Sequence, residues 1–131
     1  TRKVTLAEGF DSGDLRVYLT AYKPADTGIL VYAKYLSSSD PDAWDDKGWN
    51  LLTQLGNANY VSTGPYDYRE LTFAPGTNEA ADNQISYTNS TGSVFNSFKT
   101  FAIKIVMTGK QTYDVVKIRD LRVIAMPAKV V

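Results

Sequence analysis

Apolar and polar residues alternate with a period of two along most of this chain. The alternation is broken at short intervals by Gly, Pro, Asn, Asp and Ser. That combination marks half-buried strands joined by turns. Leu15, Val17, Leu19 and Ala21 occupy one face, with Arg16, Tyr18, Thr20 and Tyr22 on the other, and predict a strand running from Asp14. Lys23-Pro24-Ala25-Asp26-Thr27-Gly28 is turn chemistry. After it Ile29, Val31, Ala33 and Tyr35 alternate with Leu30, Tyr32, Lys34 and Leu36. This second strand is apolar on both faces and is expected to be central, and the two strands are expected to pair as a hairpin.

Ser37 to Lys47 is a polar, acidic loop, followed by a short predicted strand from Gly48 to Thr53 that carries Trp49, Leu51 and Leu52. Tyr66 to Ala74 alternates again. Pro75 to Ser97 is rich in Asn, Ser, Thr, Ala and Gly, and is expected to be a long loop or irregular hairpin touched by Ile85, Tyr87, Val94 and Phe95. The strongest strands come last: Phe98 to Thr108 with Phe101, Ile103, Ile105 and Met107 inward, and Val116 to Met126 with Leu121, Val123 and Ala125 inward. Turn material from Gly109 to Thr112 separates them, and Pro127 closes the second by removing a ladder donor. With Lys3 to Leu6, about seven to eight strands result, the number of an all-β antiparallel sandwich of jelly-roll or Greek-key type.

Length places all of residues 1–131 in one domain. Charge then narrows its partners. Fourteen basic residues balance fourteen acidic ones, so no summed positive field favours nucleic acid. No apolar run approaches a membrane span, and a soluble domain is expected. A chain opening on Thr1 rather than Met is expected to be processed or excised from a longer protein. The absence of cysteine removes disulfides and thiolate chemistry, and the absence of histidine removes the commonest general base and metal ligand. Catalysis is not expected. Asp67 and Glu70 lie three apart on a strand and face opposite sides, and the remaining carboxylates crowd one loop.

That loop, Ser39 to Trp49, is the most distinctive stretch. Asp40, Asp42, Asp45 and Asp46 stand beside both tryptophans, Trp44 and Trp49. Carboxylates at alternating positions before a Gly can wrap calcium, but the twelfth position from Asp40 is Leu51, where an EF-hand requires a bidentate Glu. The four aspartates are therefore candidate ligands of an irregular calcium site, and no other cofactor is implied. The alternative makes Asp40 and Asp42 turn formers or caps, and pairs Asp45 or Asp46 with Lys47 at the surface.

Nine Tyr, five Phe and two Trp give the chain flat rings able to stack on sugars. Trp44, Trp49, Tyr66 and Tyr68 are the candidate glycan-stacking residues; core or interface packing is the competing use of each. Lys117-Ile118-Arg119-Asp120-Leu121-Arg122 interrupts an apolar strand with charge. It reads either as a clamp at a subunit boundary or as an internal Arg–Asp arrangement that pins strand register. Asn89-Ser90-Thr91 fits a glycosylation sequon, a motif common by chance.

Several segments together resemble one family: Ala7 to Leu19, Ala21 to Ala25, Asp45-Asp46-Lys47, Phe98 to Val106, and Arg119-Asp120-Leu121-Arg122. In this order they are similar to a domain of large virion structural proteins of tailed phages, especially marine myoviruses. Ser37–Lys47 and Pro75–Ser97 are the variable parts. The resemblance implies location in the virion and assembly contacts in a tail, baseplate or fibre-associated protein, or decoration of the particle. Its partners would be other virion proteins or copies of itself. It implies no catalytic or ligand site. The alternative function is a carbohydrate-binding module attaching a virion or enzyme to a cell-surface glycan.

Overall fold

The computed structural model describes residues 3–6, 12–55, 60–75, 85–109 and 115–127. Among these residues lie ten strands and one 3-10 turn: β1 Val4–Thr5, β2 Ser12–Tyr22, β3 Thr27–Leu36, the turn Trp44–Asp46, β4 Asn50–Leu51, β5 Thr53–Leu55, β6 Arg69–Ala74, β7 Tyr87–Thr88, β8 Val94–Phe95, β9 Thr100–Gly109 and β10 Lys117–Pro127. Two four-stranded antiparallel sheets, β1-β9-β3-β4 and β10-β2-β6-β5, pack face to face as a sandwich, and β7-β8 forms a small separate hairpin. Among the described residues no helix is long and apolar enough to cross a membrane.

The period-two pattern works as expected for the inner faces. Leu15, Val17, Leu19 and Ala21 of β2 are fully buried, as are Val31 and Ala33 of β3. Phe73, Ile85, Phe98 and Phe101 complete the centre. Side chains of this size stabilise by roughly 1.5–3 kcal/mol each when fully buried. β3 lies between β9 and β4, a central strand as its two apolar faces require.

Partner choice differs from expectation. β2 and β3 do not form a hairpin; they lie in opposite sheets, β2 paired with β10 and β6, β3 paired with β9 and β4. The physical reason sits at Lys23. Its N–H donates to Ser62 Oγ at 2.9 Å and its carbonyl accepts from Ser62 N at 2.7 Å, so neither group is left to begin a ladder with β3. Asp26, in the left-handed region at φ 61°, turns the chain across to the other sheet. β9 and β10 likewise occupy opposite sheets; the turn expected between them, at 110–112, lies outside the described residues. The stretch around Trp49 also divides, with β4 in one sheet, β5 in the other, and buried Leu52 at the crossing.

Two inward assignments are corrected. Along β9 burial fades from Phe101 and Ile103 through half-buried Ile105 to Met107, which is 54% exposed where the inner row leaves the core. In β10, Val123 and Ala125 pack on the core but Leu121 is 48% exposed, and Ile118 packs inward as well. A β-bulge reconciles Ile118 with Val123. Arg119 pairs with Thr20 and Arg122 with Tyr18, so Asp120 and Leu121 together face Leu19. One extra residue switches the alternation, and Asp120 supplies the turn by adopting φ 56°.

The bulge generates a test. Asp120→Gly relieves the left-handed strain and is expected to leave stability within about 0.5 kcal/mol of the parent or raise it, whereas Asp120→Val is expected to cost about 1–2 kcal/mol. Urea denaturation of both variants measures this, and equal midpoints for Gly and Val would remove the bulge from the account.

Candidate functional site

The acidic loop folds around a lysine. Asp40 N donates to Ser37 O, Asp42 N donates to Asp40 Oδ1 at 2.9 Å, and the 3-10 turn brings Lys47 back over both. Lys47 Nζ lies 2.6 Å from Asp40 Oδ2 and 2.7 Å from Asp42 Oδ2. Its side chain is only 7% exposed and that of Asp40 is 0% exposed. The expected surface pairing of Lys47 with Asp45 or Asp46 is therefore replaced by a buried pairing with Asp40 and Asp42. Those two aspartates are turn formers too, but their carboxylates serve the lysine.

The β7–β8 hairpin closes the arrangement from the other side. Tyr87 Oη donates to Asp40 Oδ2 at 2.9 Å and accepts from Ser37 N at 2.7 Å. Asn89 Nδ2 donates to Asp40 Oδ1, and Ser90 donates through both N and Oγ to Asp42. Asn89 Oδ1 in turn accepts from Thr91 N, Thr91 Oγ1 and Ser93 N, which fixes the hairpin's tip. The Asn-Ser-Thr segment is thus a structural turn whose buried Asn reaches into the ion cluster. Sequence reasoning assigned it no role. Its only signal is the run of short polar side chains before Gly92, which adopts φ 87°.

Electrostatics follow the geometry. Burial alone would raise Asp40, but hydrogen bonds from Lys47, the Asp42 amide, Tyr87 and Asn89 hold its carboxyl below the ordinary value. Lys47 and Ser90 hold Asp42 down to about 2. Burial would lower Lys47, yet its two carboxylates raise it. Tyr87 is pushed up to about 12, first by burial.

This chemistry bears directly on the calcium candidates. The Lys47 ammonium occupies the space between Asp40 and Asp42 that a cation would take, and Asp45 and Asp46 are exposed residues of the 3-10 turn. Among the described residues no group of three or more acidic, His or Cys side chains is placed to hold a metal.

The four candidate stacking residues are dispersed. Trp44 and Trp49 lie half-buried on the outer face of the β1-β9-β3-β4 sheet, interleaved with lysines. Lys34 Nζ is 4.8 Å from the Trp44 ring and 5.8 Å from Trp49, and Lys104 Nζ is 4.9 Å from Trp49 and 4.8 Å from Tyr32. Tyr68 belongs to the outer face of the opposite sheet, beside Tyr22 and under Arg119 at 4.0 Å. Tyr66 projects from the preceding turn at 93% exposure. The sandwich core separates the tryptophans from the tyrosines, and they do not form one platform.

The charged run of β10 shares the face of Tyr68. Arg122 pairs with Glu70 and sits 5.4 Å over Tyr18, and Lys117 sits 5.9 Å over Tyr22. Neither Arg uses Asp120. The internal Arg–Asp pairing expected from the sequence is replaced by contacts reaching across β2 to β6.

A cleft of about 540 Å³ opens beside the ion cluster, between β3 and the β7–β8 hairpin. Asp46, Asn50, Ser86, Thr88 and Tyr87 are among the residues lining it. Tyr35 lines it too, and its buried hydroxyl has no hydrogen-bond partner among the described residues. Burial, then the Asp14 charge, pushes that hydroxyl's pKa upward. No signal in the sequence marked this cleft, because its walls come from segments far apart in the chain.

No family model, curated protein or solved structure matches the chain.

Two tests follow from the ion cluster. Lys47→Met strands the buried Asp40 carboxylate and is expected to cost about 3–5 kcal/mol in chemical denaturation. A loss below about 1 kcal/mol, the range of exposed pairs, would contradict the buried pairing. The pH dependence has a fixed sign. Asp40 and Asp42 are depressed from the ordinary 3.8, so their contribution is complete above that value and is lost as pH falls from 3.8 toward about 2. The urea midpoint is expected to drop through this window, and to drop less in Asp42→Asn.

Proposed function

We propose that this chain is a non-catalytic assembly module of a tailed-phage virion, acting through the outer faces of its sandwich in a tail, baseplate or fibre-associated protein or as a decoration of the particle. The observation that carries the reading is the outer face of the β10-β2-β6-β5 sheet. Tyr18, Tyr22 and Tyr68 are interleaved there with Lys117, Arg119 and Arg122. Exposed Leu121 and Ile124 add apolar area on the same strand, β10. Tyr and Arg dominate the energetic centres of protein interfaces, where rings give rigid contact area and guanidinium groups give planar hydrogen bonding. Stacking on Tyr68 and Tyr18 holds the two guanidinium groups in place before a partner arrives, which lowers the entropy cost of docking.

The resemblance to virion structural domains supports the same reading. So does the chemistry of the acidic loop. Its two best-placed carboxylates are paired with Lys47 and held below the range useful for proton transfer at neutral pH. The partners are other virion proteins or copies of this chain, and the surface they meet presents positive charge.

The test is incorporation. Quantitative mass spectrometry of purified particles is expected to find this chain at a fixed stoichiometry. Arg119→Glu combined with Arg122→Glu is expected to lower incorporation at least tenfold while the isolated variant keeps the parent's circular dichroism and urea midpoint within 1 kcal/mol. Absence from particles, or full incorporation of the folded double variant, would overturn the assembly reading or its assignment to this face respectively.

A further inference from the structure

We propose that the cleft between the open edge of β3 and the β7–β8 hairpin binds a neutral saccharide, a site separate from the assembly faces and from the aromatic residues that the sequence singles out. β3 meets the cleft along the part of its edge that lies beyond β4. Its odd-numbered residues direct their N–H and C=O groups away from β9. Val31 O accepts from Leu52 N at 2.8 Å, Ala33 O accepts from Asn50 Nδ2 at 3.3 Å, and past the strand end Ser37 N donates to Tyr87 Oη. Tyr35 is the odd position between them that β4 does not reach, since β4 pairs only with Tyr32 and Ala33. By the alternation of an antiparallel strand its N–H and C=O face the cleft that Tyr35 lines.

Backbone donors and acceptors that face a cleft instead of a neighbouring strand can hydrogen-bond a ligand. Around this edge stand hydrogen-bonding side chains that the ion cluster does not use. Ser86, Thr88 and Asp46 are exposed in the cleft wall, and Asn50, which spends Nδ2 on Ala33, lies beside them.

The inventory selects the ligand class. Donors and acceptors alternate over a short distance, which suits hydroxyl groups because each can give and take a hydrogen bond. The local charge opposes anions: Asp40, Asp42 and Asp46 outnumber Lys47, so phosphorylated, sulfated or sialylated compounds meet net repulsion. A volume of about 540 Å³ lies in the usual range for small-molecule sites.

The experiment is an amide-resolved NMR titration of the ¹⁵N-labelled chain with glucose, galactose, mannose, fucose and N-acetylglucosamine and their short neutral oligosaccharides. Sialyllactose and sulfated galactose serve as anionic probes. Saturable shifts confined to Tyr35, Asn50 and residues 86–90 are expected with at least one neutral sugar, and at least tenfold weaker binding with the anionic probes. Ser86→Trp fills the cleft from an exposed position and Thr88→Val removes one hydroxyl; the first is expected to abolish the shifts and the second to weaken binding several-fold, both with otherwise unchanged spectra. No saturable shift with any neutral sugar, shifts centred on Trp44 and Trp49, or binding that survives Ser86→Trp would each overturn the proposal. Incorporation into particles is expected to be unaffected by Ser86→Trp, so failure here and failure of the assembly reading are distinguishable.

Discussion

The backbone of Lys23 has both of its polar groups committed to Ser62, and this decides the architecture. A strand leaving β2 with those groups free would fold back as a hairpin in the same sheet. With them spent, the chain crosses to the opposite sheet and β3 must find other partners. It finds β9 over ten residue pairs, and β2 finds β10. The fully buried row of β2 therefore meets the inner row of β3 across the core rather than beside it. Lys23 Nζ reinforces the arrangement by donating to Tyr60 O, which ties the same loop to the arch.

That architecture explains why β10 needs a bulge. Lys117 to Arg119 and Arg122 to Pro127 must both serve β2, whose inner positions are fixed by four completely buried side chains. Strict alternation from Ile118 would turn Val123 and Ala125 outward. The extra residue at Asp120 returns them to the core and leaves Leu121 in solvent. The same irregularity sets Arg119 and Arg122 on one outer face although they are three residues apart, which places both guanidinium groups over tyrosines. A correction to core register thus creates the cationic, aromatic surface.

The faces of strands were legible in the sequence because burial imposes a period of two on a single segment. β2, β3, β9 and β10 are recoverable from that period, and so is the central place of β3. Partner choice was not legible, because alternation records which way a side chain points and not which strand lies alongside. The hairpin expected of β2 and β3 fails for that reason, and Leu121 is misassigned because a bulge has no period. At the site, Asp40 to Lys47 stands out locally, but its chemistry is set by Tyr87, Asn89 and Ser90, nearly fifty residues away. Four aspartates with Gly48 suggest a cation, and the cation present is the loop's own lysine. The aromatic residues show the converse limit: Trp44 and Tyr68 are equally conspicuous in the chain and lie on opposite sides of the fold.

Lys47 also connects the ion cluster to the open strand edge. In continuous antiparallel pairing, the residues before Asn50 would run on along β3, and Gly48 would stand opposite Tyr35. They do not, because Asp40 and Asp42 draw Lys47 toward the β7–β8 hairpin while Trp49 is held by Lys34 and Lys104 on the sheet's outer face. The two anchors pull the chain off the edge on either side of Gly48, a residue with no side chain to bridge the gap. The backbone of Tyr35 is left facing a polar cleft as a direct result. A charge pair that is buried and hydrogen-bonded on every side costs too much to break for the edge to close by local adjustment. The opening is therefore built into the same contacts that hold the loop and the hairpin together.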